Sequence, residues 1–262
     1  MVWISVAVFL VAYLLNIVTI TIGYHRALAH GAVRLRPVAC RAVVVMGHWI
    51  TGIDPKAWVV MHRMHHAFSD MPADPHSPVN VGVLGIAREQ LRSYERTLRG
   101  LKKQDPRYTH YAAGLDFELN VLSRHGLWFL PYLLHAAVGV ALGVAMGSVL
   151  LGAAYFFGMM SHPLQGGMVN AFGHAMGGRN FDTADNARNN HLVSWLVFGE
   201  GFQNNHHHAP ASARFSWRRC EIDLGYGVCL ALEAAGVLRI DRATLLPRAR
   251  TAIVAAPVAQ EA

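Results

Sequence analysis

Two long stretches of the chain carry no Asp, Glu, Lys or Arg: everything before Arg26, and everything between Arg124 and Arg179. Each exceeds the ~20 apolar residues that cross a hydrocarbon core. Residues 2–24 lack a basic leader and a small-residue cleavage site, so they read as a retained span and not as a signal peptide. Residues 127–170 have room for two helices joined at Met146, Gly147 and Ser148, which predicts a transmembrane hairpin. Residues 38–53 are apolar but short and carry Arg41 and His48, predicting an interfacial or partly embedded helix. Residues 85–101 are amphipathic and basic, as suits a helix on the membrane surface. No repeat, low-complexity block or linker divides the chain. One domain is expected over residues 1–262, with a core at about 2–220 and a tail from about Ala243 onwards.

Composition agrees with a membrane protein, since 53% of residues are hydrophobic and 15% are charged, against roughly 25% charged in soluble domains. The formal charge of +7 is explained by orientation and requires no nucleic-acid partner. Arg26, Arg34, Arg36 and Arg41 follow the first span, residues 88–107 precede the hairpin, and Arg179, Arg188, Arg214, Arg218 and Arg219 follow it. All basic loops therefore fall on one side, which the excess of positive charge makes cytoplasmic, with about three spans and an external N-terminus. The expected location is the cell membrane, multi-pass. Cys40, Cys220 and Cys229 are odd in number and form no C-x-x-C pair, which argues against a disulfide framework, an iron–sulfur site or a rubredoxin-like site, so any redox chemistry imports its electrons.

The 16 histidines are clustered. His25 and His30 lie in HRALAH, His62, His65 and His66 in HRMHH, and His206, His207 and His208 in QNNHHH; Asn170 and His174 lie in NAFGH. Helical neighbours at i, i+3 and i+4 put His62, His65 and His66 on one face and pair Asn170 with His174. His25 and His30, five apart, lie about 140° apart on an ideal α-helix, so they either straddle a helix end or serve different metals. His48, His76, His110, His125, His135, His162 and His191 read as ordinary surface or core residues. The clusters read as metal ligands, because gathered imidazoles that became protonated would repel one another. Eight histidines are too many for one zinc, there is no H-E-x-x-H, and two irons would use the ligands present.

The segments HRALAH, HRMHHAFSDMPADPHSP, NAFGH and GEGFQNNHH resemble the histidine boxes of the membrane fatty acyl desaturases, the stearoyl-CoA desaturase-like group, over residues 23–210. The resemblance implies an all-α integral membrane domain with a cytosolic helical cap holding two iron ions, and removal of two hydrogens from a saturated acyl chain with dioxygen as oxidant. By position, His25, His30, His62, His65, His66, His174, His206 and His207 match the family's iron ligands, and Asn170 matches a residue that holds a metal-bound water. Where the third box usually begins with His, this chain has Gln203, which ligates directly, ligates through water or leaves a position open; His208 is a less well spaced substitute. The family also has two spans before its first box, whereas this chain has room for one, so a shortened sequence and a minimal form both fit.

Asp74, Glu200 and Asn204 are candidates to orient imidazoles through their outer N–H groups, or else to cap loops. Trp49, Trp58, Trp195 and Phe202 either line an acyl tunnel or serve as anchors and packing. The expected partners are the bilayer, a fatty acyl substrate linked to CoA, lipid or a carrier, and an external electron donor such as ferredoxin, rubredoxin or a cytochrome b5-like protein. Residues 88–103 dock that donor or rest on the membrane surface. Related histidine-rich di-iron sites also hydroxylate lipids, so a hydroxylase is the alternative, and a non-catalytic metal binder or transporter is a third reading that predicts ligands at mid-membrane. Nothing in the chain names the double-bond position, the chain length or the carrier.

Overall fold

The computed structural model describes residues 1–247, which are mostly helical. Helix Val2–Val18 continues unbroken into π-helical turns over Thr19–Ala29. Together they form a rod of 28 residues, the one helix among the described residues long and apolar enough to cross a membrane.

The predicted hairpin forms from Leu130–Ala145 and Val149–Met159, and it turns at the predicted place, where Gly147 takes φ +59. Its second arm is shorter than expected. The helix stops at Met159, and the chain resumes as His162–Phe172 with Pro163 in the first turn, where the missing proline N–H costs nothing. The charge-free stretch thus makes three helices and not two. The arms, at 16 and 11 residues, are each shorter than a full perpendicular span.

Helix Val149–Met159 packs against both Val2–Val18 and Leu130–Ala145. Gly139 and Gly152 allow this, because a Cβ on Gly152 would collide with the Gly139 carbonyl, the small-residue contact typical of helices meeting in lipid. Trp3, Val11, Val140, Val144 and Val149 remain exposed on the outer faces of these helices. That apolar surface is large for a protein facing water.

The remaining helices carry the site. Helix Pro37–Thr51 begins on a proline and ends at Gly52 in the left-handed conformation, φ +78. Helix Pro55–Phe68 is capped by Asp54, whose carboxylate accepts from the amides of Lys56 and Ala57 at 2.9 and 3.3 Å. Helix Ile86–Lys102 buries Tyr94, Leu98 and Leu101 in the same core as Trp58, Val59 and Val60, and it leaves Arg88, Arg92, Arg96 and Arg99 exposed.

Near the C-terminus, helix Leu224–Ala234 leads to strand Leu238–Ile240, which pairs antiparallel with Val33–Leu35. The packed chain runs past Ala243: Leu246 is buried and its amide donates to Ser212 Oγ at 2.8 Å. The rest of the expected tail lies outside the described residues.

Candidate metal centre

Four segments converge at the cavity end of the long rod: the π-helical turns with His25 and His30, helix Pro55–Phe68, the stretch from Asn170 to His174, and the short helix Gln203–His208. They assemble two principal groups of histidines, His25, His30, His62, His66 and His206 in one and His65, His174 and His207 in the other, with ligating atoms within 4.8 Å inside each group. Neighbours in sequence are split between them, His65 from His66 and His206 from His207.

His25 and His30 fall in the same group, and the backbone explains how. The π-helical winding bonds the His30 amide to the His25 carbonyl five residues back, at 3.2 Å, so residues five apart come round to one side. Their ring centroids are 5.0 Å apart. His30 also ends the helix, so the two straddle a helix end without being separated.

In the five-histidine group the Nε2 atoms point at one another: His30 to His62 at 2.7 Å, His62 to His66 at 3.1 Å, His66 to His206 at 2.9 Å and His206 to His25 at 3.0 Å. Burial, reinforced by the neighbouring imidazoles, pushes His62, His66 and His206 well below the ordinary histidine range. Neutral rings with lone pairs facing inward repel one another unless a cation sits among them, so this arrangement fits a metal ion.

The three-histidine group is braced from behind. His65 Nδ1 donates to Asp74 at 2.9 Å, His174 Nδ1 to Asp70 at 3.0 Å and His207 Nδ1 to Asp185 at 2.5 Å. The opposite atoms, Nε2 of His65, His174 and His207, are buried and have no partner. A carboxylate on Nδ1 fixes the tautomer and presents the other lone pair to a metal. Burial alone would raise these carboxyls, but the hydrogen bonds from their histidines and from nearby backbone amides hold Asp70, Asp74 and Asp185 below the usual range. Glu200 braces the five-histidine group in the same way, accepting from His25 Nδ1 at 2.6 Å while also pairing with the buried Arg26 at 2.6 Å.

Of the three residues expected to orient imidazoles, Asp74 and Glu200 contact one. Asn204 does not. Its amide accepts from the backbone of Asn180 and Phe181 at 2.7 and 2.8 Å and donates to the Phe181 carbonyl at 2.9 Å, so it caps a loop. Asp70 and Asp185 take the expected role instead. No spacing links Asp70 to His174, 104 residues away, or Asp185 to His207.

Gln203 is buried, and its Nε2 donates to the Glu200 carbonyl at 2.6 Å, which leaves Oε1 as the atom it could offer to a metal. Asn170 Nδ2 donates to Gln90 Oε1 at 2.9 Å. His208 stacks on Phe181 with ring centroids 3.9 Å apart and belongs to neither group. His76, read from the sequence as isolated, stacks on His65 at 4.7 Å and forms a further small group with His65 and Asp74.

A cavity opens against both groups. Ile17, Ile20, Met61, Val169 and Val197 form its apolar wall, and His25, His62, His65, Asn170, Glu200 and Gln203 its polar side. Trp58 lines it, whereas Trp49 packs on His135, Trp195 is exposed and Phe202 is buried against His191. His162, also read as isolated, is part of the wall.

Fold and site together define a helical protein with two carboxylate-braced histidine groups, suited to metal ions, at the end of an apolar cavity. The chain belongs to the fatty acid desaturase family, whose sequence profile matches residues 1–221, a family of membrane-associated oxidoreductases. It is 30% identical over 242 residues to a hex-5-enoyl-[acyl-carrier protein] acetylenase of Moorena producens (strain JHB), covering 86% of this chain and 72% of that protein. It is 29% identical over 241 residues to icosanoyl-CoA 5-desaturase of Limnanthes douglasii, covering 90% of this chain and 63% of that protein. It is also 29% identical over 254 residues to delta-9 acyl-lipid desaturase 1 of Arabidopsis thaliana, covering 90% and 74%.

Proposed function

We propose that this chain is an O2-dependent fatty acyl desaturase that introduces a cis double bond into a saturated acyl chain at a histidine-ligated pair of irons. The observation that carries this reading is the facing of two histidine groups onto one apolar cavity. His25, His30, His62, His66 and His206 hold one iron. His65, His174 and His207 hold the other, with Gln203 and, through water, Asn170. Iron bound there supplies, with dioxygen, the oxidising power to take two hydrogens from an unactivated chain.

The protein's own part is placement and exclusion. Ile17, Ile20, Met61, Val169 and Val197 align the methylenes beside the metal-facing wall and keep water out. Asp70, Asp74, Asp185 and Glu200 hold the rings in register through Nδ1. The exposed apolar faces around Trp3, Val140 and Val149 sit in lipid, with the histidine groups on the cytoplasmic side of a multi-pass domain that takes in the whole chain. The relatives act, by their names, on acyl chains linked to a carrier protein, to CoA or to lipid, and all three carriers are open to this chain. Electrons come from an external donor, and exposed Arg88, Arg92, Arg96 and Arg99 supply a basic face for it or for the membrane surface.

The test is gas chromatography with mass spectrometry of total fatty acids from a bacterial host expressing the chain, beside a His65→Ala/His66→Ala double variant. A new unsaturated species seen only with the intact histidines is the expected result. A product heavier by one oxygen would replace desaturation with hydroxylation.

A further inference from the structure

Two residues of the cavity wall do not suit a plain hydrocarbon chain. His162 and Gln165, three apart on helix His162–Phe172, are both buried, and each has one polar atom without a partner: Nδ1 of His162 and Oε1 of Gln165. Their neighbours decide what those atoms are. Trp58 Nε1 lies 3.2 Å from His162 Nε2, and an indole N–H can only donate, so Nε2 is the acceptor and the neutral ring carries its proton on Nδ1. Ser161 Oγ donates to the Gly158 carbonyl at 2.8 Å and accepts from Gln165 Nε2 at 2.8 Å, which fixes the amide with Oε1 free. Tyr13, whose hydroxyl lies beside Gln165, has its single proton on the Leu196 carbonyl at 2.6 Å.

These two wall residues therefore carry one unmade donor and one unmade acceptor, both buried, a costly arrangement if a polymethylene chain is all that packs against them. A hydroxyl group donates once and accepts as well, and so matches the two atoms in kind. The pair is also close to the metal centre, because the Trp58 ring that bonds His162 lies flat on His62, with centroids 4.9 Å apart and planes 10° apart.

We propose that His162 and Gln165 form a polar subsite that selects an acyl chain bearing a hydroxyl at one position near the reacting carbons. This rests on the reading of the cavity as an acyl site. It makes the pair a specificity device, with His162 Nδ1–H donating to the substrate hydroxyl and Gln165 Oε1 accepting from it.

The test uses the purified full chain in lipid nanodiscs and displacement of radiolabelled palmitic acid by palmitic acid and by monohydroxypalmitic acids with the hydroxyl walked along the chain. One short run of positions is expected to bind about tenfold or more tighter than palmitic acid. In Gln165→Met and, independently, His162→Phe, the ratio falls to about one; two variants are used so that misfolding of one leaves the other to decide. If palmitic acid binds and no hydroxy isomer exceeds it, or if the preference survives in the variants, the subsite is overturned and the pair holds water only. If neither palmitic acid nor any isomer is bound, the acyl reading of the cavity falls with it.

Discussion

Asp70 accepts the Nδ1 proton of His174 at 3.0 Å across 104 residues of sequence, and the same carboxylate accepts from the Asn186 amide at 2.7 Å. Asp70 sits at φ +61, an unusual conformation for a residue other than glycine, held by these bonds and by the Ser77 hydroxyl at 2.5 Å. It therefore ties the end of the helix that carries His62, His65 and His66 to the segment that carries His174. Asp70→Asn keeps the shape and removes the charge. The expected result is a loss of about 10- to 100-fold in affinity for the metal of the three-histidine group, with the five-histidine group still loaded. Metal analysis after graded chelation checks this: about one ion per chain in the variant against about two in the parent. Equal retention in both proteins would remove Asp70 from this role.

Gln203 offers a weaker donor than imidazole. Gln203→His is expected to tighten the second ion by about tenfold, and Gln203→Leu to loosen it by a similar factor. Chelator competition reads both directions, and an unchanged affinity in the two variants would mean that Gln203 ligates nothing.

Arg26 is fully buried, paired with Glu200 at 2.6 Å and Asp223 at 3.2 Å, with its guanidinium 3.9 Å from the centre of the Phe215 ring. Arg26→Met leaves two buried carboxylates without their cation. The expected cost is about 3–5 kcal/mol, seen as a large fall in the unfolding midpoint in detergent. A midpoint within a degree or two of the parent would contradict the structure here.

Gly152 meets the Gly139 carbonyl where the hairpin arms touch. Gly152→Leu forces the arms apart and is expected to destabilise by about 1–3 kcal/mol, while Gly167→Ala, with open space around its Cβ position, serves as the tolerated control. Thermal unfolding of both variants checks the contrast.

Glu233 accepts from the Ile240 amide at 2.9 Å and from Arg242 at 2.7 Å. Arg242 and that amide bring its carboxyl down from 4.5 to about 2. A depressed carboxyl stabilises the folded state above its unfolded value and loses that contribution as pH falls through its folded value. Glu233→Gln is therefore expected to speed exchange at Ile240 near neutrality. The difference in protection factor should narrow between pH 4.5 and about 2, as hydrogen exchange would show.

Much of the site was legible in the chain because short-range geometry carries it. Charge-free stretches announced the rod and the hairpin turn, since no buried span tolerates unpaired charge, and the spacing of His62, His65 and His66 announced a shared helical face. The π-helical winding that unites His25 with His30 was not legible, because it is a choice between nearly equal backbone hydrogen-bond patterns decided by what packs around them. Asp185 behind His207, Asp70 behind His174, His76 beside His65 and the His162–Gln165 pair on the cavity wall were invisible for a related reason. Local sequence determines which residues share a face, but which atoms find a partner depends on segments distant in the chain arriving at one place, as far as the 104 residues that separate Asp70 from His174 and Trp58 from His162, and only tertiary packing decides that.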